Sequence, residues 1–132
     1  MPTVLFLCVA NAGRSQVAEG LARAAAPDGW RFLSAGSEPG TVNPLAVQAL
    51  AEDGVDIAHH RSKGLDAIPL AEVDVIVTLC AEEICPVVPV HVRREHWPLR
   101  DPYTLEDFRA VRDELRRRLP ALWRDAAQPK VR

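Results

Sequence analysis

Cys8-Val9-Ala10-Asn11-Ala12-Gly13-Arg14-Ser15 brings a nucleophile, a run of small residues and a fixed cation into one short stretch. Arg14 follows Cys8 after five intervening residues, and its planar guanidinium can face two oxygens of a phosphate-like ion at once. The backbone N–H groups of Val9, Ala10, Asn11, Ala12, Gly13 and Arg14 can turn inward as a concave anion nest. A helix starting after them adds its N-terminal partial charge. The same positive field favours the thiolate form of Cys8, and the Ser15 hydroxyl can hydrogen-bond to that sulfur. Gly13 permits backbone dihedrals that a bulkier residue resists. Such a cysteine-to-arginine spacing is common by chance, and Cys8 could be only a small buried residue ending a core strand. The strand before the loop and the helix after it favour the chemical reading: a cradle for a tetrahedral oxyanion, with a thiolate aimed at its centre.

The surrounding elements meet that requirement. Residues 4–7 form a continuous apolar run, which reads as a buried strand feeding the loop. Residues 15–26 favour helix, with Val17, Ala18, Leu21, Ala22 and Ala25 as its apolar stripe, and Pro27-Asp28-Gly29 stops it. A second strand is expected over residues 30–35, closed by Gly36. Asn43-Pro44 reads as an N-cap with proline at the first helical position, and Gly54 as that helix's C-terminal cap. A short helical turn fits residues 65–70, and the β-branched stretch 73–79 is the clearest strand. Residues 80–93 read as a loop and 94–99 as a short last strand. From Leu105 onward Phe108, Val111, Leu115, Leu119 and Leu122 recur at helical spacing, until Pro120 kinks or ends the helix. Strands alternating with helices imply βαβ units. We expect one three-layer α/β/α domain over residues 1–132, with a central four-stranded parallel sheet and a loose tail over 125–132.

Two further features would fall at the carboxyl edge of such a sheet, where α/β ligand sites lie. Asp101-Pro102 follows the last strand; it is either a general acid for a departing oxygen or an ordinary Asp-Pro turn. Cys80 and Cys85 follow the strand that ends at Leu79. They could be buried and inert, they could ligate zinc, or they could be a redox pair serving Cys8. No second C-x-x-C or H-x3-H pair accompanies them for zinc, His59-His60, His91 and His96 being scattered, and the oxyanion loop already holds a thiol in need of reduction, which favours the redox pair.

Composition narrows the classes. The 132 residues fit one domain, and 16 basic against 18 acidic side chains give a charge of -2, which offers no case for nucleic-acid or membrane binding. The start of the chain lacks a secretory or spanning stretch, so a cytoplasmic protein is expected, and three cysteines there argue against a static disulfide framework. An arsenic or metal sensor would want a DNA-reading helix, which the sequence does not suggest.

Taken together the motifs resemble the thioredoxin-coupled arsenate reductases of the low-molecular-weight protein tyrosine phosphatase family. The likeness runs through the Cys8–Ser15 loop with Gln16-Val17-Ala18-Glu19, Ser34-Ala35-Gly36-Ser37-Glu38-Pro39, Asn43-Pro44-Leu45-Ala46-Val47 and His60-Arg61-Ser62-Lys63. It continues through Val77-Thr78-Leu79-Cys80, Cys85-Pro86 and His96-Trp97 to Asp101-Pro102, spanning residues 4 to about 115. The resemblance implies that Cys8 attacks arsenate held by the loop amides and Arg14 while Asp101 protonates the leaving oxygen. Cys80 then attacks the Cys8 adduct, and Cys85 moves the disulfide outward to thioredoxin or a related dithiol protein. Four residues separate Cys80 from Cys85, fewer than is common in the family, although such a loop can close a disulfide if the Cα atoms come within about 7 Å. No tightly bound cofactor is expected; the resemblance does imply a potassium site at Asn11, Glu19, Ser34 and Asp66, and the protein is expected to be a monomer. The rival reading is a phosphatase using only Cys8, Arg14 and Asp101. Tyr103 favours that side, whereas Gln16, where phosphatases usually carry proline, and the cysteine pair favour arsenate reduction, with residual phosphatase activity from the same site.

Overall fold

The computed structural model describes residues 2–81 and 91–127, with side chains as far as Arg124. Four strands, β1 (Thr3–Cys8), β2 (Arg31–Gly36), β3 (Val75–Thr78) and β4 (Arg93–His96), form one sheet in the order β2-β1-β3-β4. Every neighbouring pair is parallel. The apolar run after residue 3 is continuous because β1 lies inside the sheet and is buried along its whole length. Leu7 is level with Thr78, and the Leu79 N–H bonds to the Leu7 carbonyl at 2.9 Å. Cys8 and Cys80 therefore leave adjacent strands at nearly the same height, on the same edge.

Helices α1 (Arg14–Ala25), α2 (Pro44–Ala51), α3 (Leu105–Arg118) and α4 (Pro120–Ala127) cover one face. Val17, Leu21, Leu50, Phe108, Leu115 and Leu122 pack there against Val4, Phe6, Phe32, Val75 and Val77. On the other face Leu5, Leu7, Ala35 and Ile76 meet Ile68 and Val73, which belong to a segment with two short 3-10 turns, Leu65–Ala67 and Leu70–Glu72. The expected helical turn over 65–70 is the first of these. The sheet and its flanking helices agree with the expected α/β class. Residues 128–132 lie outside the described residues, and α4 continues to Ala127, into the stretch expected to be tail.

The helix ends follow local chemistry. The Asn43 side chain accepts the Leu45 N–H at 2.9 Å with Pro44 behind it, as expected. After α2, Gly54 takes φ +76, so that its N–H reaches the Ala51 carbonyl and the Val55 N–H reaches the Leu50 carbonyl, each at 3.0 Å. Thr104 and Asp107 form a reciprocal capping box at the start of α3. Pro120 ends α3 and opens α4.

An ionic clamp ties α2 to α3. Glu52 receives Arg109 Nε and Arg112 Nη1, each at 2.9 Å, while Asp53 faces Arg116 Nη2 at 2.6 Å. The Arg109 hydrogen bond, opposed by desolvation and aided by Arg112, lowers the Glu52 carboxyl from 4.5 to about 2. A carboxyl lowered on folding stabilises the protein above its unfolded value and loses that contribution as pH falls through the folded one. Glu52→Gln should therefore lower the thermal midpoint at pH 7, and its difference from wild type should vanish as pH falls from 4.5 to about 2. Thermal melts across that range check it; a pH-independent difference would mean that the charge is not what matters.

Candidate active site

Cys8 ends β1 and Arg14 begins α1, so the intervening loop bridges a buried strand and a helix start. Its carbonyls are turned outward and held. Val9 O accepts the Glu38 N–H at 2.8 Å, Ala10 O accepts the Gly40 N–H at 3.2 Å and the Ser62 hydroxyl at 2.8 Å, and Ala12 O accepts the Asn43 N–H at 2.8 Å. Asn11 O accepts Gln16 Nε2 at 3.1 Å. In a trans peptide the N–H of the next residue points opposite to the carbonyl. Fixing these four carbonyls outward therefore directs the N–H groups of Ala10, Asn11, Ala12 and Gly13 toward the concave side. Helix α1 has no side-chain cap at Gly13, which leaves its first turn suited to an anion.

Gly36 makes this anchoring possible. A Cβ there would lie 2.3 Å from Val9 O and 2.8 Å from Asn11 N, so only glycine lets β2 pass against the loop. The left-handed residue is Asn11, with φ 50, while Gly13 takes φ -126 and ψ -89, in neither the helical nor the extended region. Asparagine tolerates that region when its side chain is locally bonded, and here Asn11 is fully buried and bonded on both ends.

Those bonds reach the nucleophile. Asn11 Oδ1 accepts the Lys63 N–H at 2.7 Å and Gln16 Nε2 at 2.9 Å, so Asn11 Nδ2 is left to donate to Ser15 Oγ at 2.8 Å. Ser15 Oγ, which accepts from Asn11, lies 2.8 Å from Cys8 Sγ, so its own proton is available to a thiolate there. A hydrogen bond donated to sulfur favours thiolate over thiol. Gln16 also bonds to the Arg61 carbonyl at 3.0 Å, and its Oε1 takes His60 Nδ1 at 2.9 Å, which assigns the ring proton to Nδ1. Burial pushes His60 below its ordinary value, against the pull of Glu19.

Arg14 is buried and held from behind, with Nη1 donating to Leu99 O at 2.8 Å and reaching Leu79 O at 3.5 Å. Its Nη2 lies 3.8 Å from Asp101 Oδ1, and the Asp101 side chain is 51% exposed. The expected acid is thus beside the expected clamp, at the rim of a cleft of about 610 Å³ shared with Leu99, Pro102 and Tyr103. Cys80 is 1% exposed and disulfide-bonded, and Cys8 is a free thiol. Cys85 lies outside the described residues.

The residues expected to hold potassium do not assemble into an oxygen cage. Asn11, Glu19 and Ser34 are buried, with Ser34 bonded to Glu19, but Asp66 is exposed on the first 3-10 turn. Glu19 accepts a short hydrogen bond from the Ser34 hydroxyl, meets Arg23 Nη2 at 2.8 Å and lies 3.8 Å from Lys63 Nζ. With the Asn11 oxygens and the Glu19 charge already engaged, the site does not fit a potassium ion. The parts not foreseen in sequence are the outer anchors Glu38, Gly40 and Ser62 and the Gln16–His60–Lys63 network. Glu38, Gln16 and His60 through Lys63 lie in motifs that carry the family resemblance, but no role was legible for them there.

The chain belongs to the low molecular weight phosphotyrosine protein phosphatase family, which it matches over residues 3–131. Within that family its similarity runs toward reductases. It is 42% identical over 118 residues to an arsenate reductase of Staphylococcus xylosus, covering 86% of this chain and 90% of that one. A solved arsenate reductase in a phosphate binding state superposes with a TM-score of 0.87 at 32% identity, covering 95% of this chain and 98% of its own. A thioredoxin-dependent arsenate reductase of Corynebacterium glutamicum gives a TM-score of 0.79 at 31% identity, covering 97% of this chain and 64% of that one.

Two outcomes follow from the loop. Gly36→Ala should abolish anion binding and lower stability, because backbone rather than a movable side chain blocks the new methyl; phosphate titration and thermal melts measure both. Ser15→Ala should slow alkylation of Cys8 by iodoacetamide at pH 7 about tenfold, the size of a lost hydrogen bond to a charged group. Site-resolved mass spectrometry reads that rate, and an unchanged rate would remove Ser15 from the activation of Cys8.

Proposed function

We propose that this chain reduces arsenate to arsenite through Cys8, Cys80 and Cys85. The observation that carries the proposal is the shared sheet edge, where the oxyanion cradle starts at Cys8 and Cys80 leaves the adjacent parallel strand. The named reductases among the chain's relatives support it.

Cys8 Sγ attacks arsenic held by the loop amides and Arg14. Asp101 donates the proton that lets one arsenate oxygen leave as water, and a sulfur–arsenic bond forms. The Cys80 thiolate then attacks Cys8 Sγ. The sulfur–arsenic electron pair passes to arsenic, which leaves as arsenite, and a Cys8–Cys80 disulfide forms. Cys85 attacks Cys80, freeing the Cys8 thiolate and leaving a Cys80–Cys85 disulfide for thioredoxin or a related dithiol protein to reduce. Passing the disulfide outward solves an access problem, because Cys8 is buried under its own loop. A relay that ends on a dithiol reductant suits the cytosol, and one chain supplies every participating residue, so a monomer suffices.

Phosphate has the same shape and charge as arsenate, so the cradle also supports slow phosphomonoester hydrolysis through Cys8, Arg14 and Asp101. That reading gains from the family's phosphatase description.

The test is arsenate-dependent NADPH oxidation with thioredoxin and its reductase. Cys8→Ser should lose both reduction and aryl-phosphate hydrolysis. Cys80→Ser should release no arsenite. Cys85→Ser should release one equivalent and then stop, because the Cys8–Cys80 disulfide stays buried. Full multiple turnover in both the Cys80 and Cys85 variants would sink the relay, and brisk aryl-phosphate hydrolysis without arsenate turnover would establish the phosphatase instead.

A further inference from the structure

Glu19 is a carboxylate in the interior, 3% exposed, directly behind the oxyanion loop. An uncompensated negative charge there would be costly, and it would oppose anion binding on the other side of Asn11. Three basic groups surround it: Arg23 Nη2 at 2.8 Å, Lys63 Nζ at 3.8 Å and His60 Nε2 at 4.0 Å. Arg23 is bound to the outside of the cluster, its Nη2 also donating to the Phe32 carbonyl at 3.0 Å. Burial pushes His60 below its ordinary value against the pull of Glu19, and its Nδ1 is bound to Gln16 Oε1.

Lys63 differs from both. Its ammonium donates to the Arg61 carbonyl at 2.9 Å while facing Glu19 Oε1, two acceptors that suit a charged group. Its N–H holds Asn11 Oδ1 at 2.7 Å, and its carbonyl takes the Gly36 N–H at 2.9 Å. Arg61 O in turn shares Gln16 Nε2, which also bonds to Asn11. One residue thus meets the acid with its side chain and the loop asparagine with its backbone. Its oxygen neighbours, a carboxylate and a peptide carbonyl, are hard ligands of the kind that metal cations also take.

We propose that the Lys63 ammonium is a built-in monovalent cation for this cluster, so that the oxyanion loop is formed without any alkali metal. Lys63 acts as a positioning residue, through Asn11 and Ser15, and does not touch the substrate. This goes beyond the relay and does not depend on it.

The experiment compares thermal midpoints in potassium chloride and choline chloride at equal ionic strength, for wild type and Lys63→Ala, with isothermal titration of potassium as a direct reading. Wild type should melt at the same temperature in both salts and take up no potassium. Lys63→Ala should melt about 4 °C lower in choline, the shift expected for a lost, partly exposed ionic contact. Potassium should restore it along a saturating curve and restore the KM for arsenate in parallel. Lys63→Arg should stay indifferent to potassium, and Lys63→Gln gives the same comparison as alanine if the alanine variant does not fold. A saturable potassium effect on wild type overturns the proposal. So does an alanine or glutamine variant that melts alike in both salts, since a merely structural lysine would give that result. The melts contain no arsenate, so failure of the relay and failure of this proposal are read separately.

Discussion

Peptide groups do not gather their N–H ends around one point unaided, because aligned dipoles repel and exposed carbonyls compete for the same hydrogens. In this protein the difficulty is met from outside the loop. Val9, Ala10 and Ala12 give their carbonyls to Glu38, Gly40 and Asn43, all on the segment that links β2 to α2. Gly36 lets that segment pass within contact of the loop backbone. Planarity does the rest, turning outward-facing carbonyls into inward-facing amides. The cradle is a tertiary structure more than a local one.

Charge is layered around it in an order that favours an anion in front. Arg14 and the start of α1 face the site, while Glu19 lies behind and is matched by Arg23 and Lys63. Between the two layers Gln16 and Asn11 carry only neutral hydrogen bonds, ending at Ser15 and Cys8. This fully bonded polar core rigidifies the nucleophile, since any rotation would leave a buried donor or acceptor unpaired.

The residues that were legible in the sequence are those whose signal is local. Cys8, Arg14 and Ser15 could be placed because strand, loop and helix follow one another without interruption, and Asn43-Pro44 because a cap is chemistry between near neighbours. Strand ends were less legible. The stretch 73–79 is a regular strand only over Val75–Thr78, although single backbone bonds from Asp74 N–H to Thr3 O and from Leu79 N–H to Leu7 O extend its contact with β1 at both ends. The last strand is Arg93–His96, an edge strand of charged residues that an apolar pattern does not reveal. The anchors at Glu38 and Gly40 act through backbone N–H groups, which leave no mark on residue type. Asp66, which the family resemblance implies as a cation ligand, is exposed, while Lys63, a few residues earlier, turns its ammonium to the buried acid.

The outer anchors also set an order of events during folding. β1 and its loop come first in the chain, but the N–H groups of Glu38, Gly40 and Asn43 that hold the loop carbonyls lie beyond β2 and are placed by its pairing with β1. Closing parallel strands through a crossover is slow compared with forming the helix that follows the loop. A chain in which β2 has not yet paired therefore carries Cys8 without the anchored cradle around it. The surroundings that set Cys8 apart from other cysteines thus belong to the assembled fold and not to the loop sequence alone.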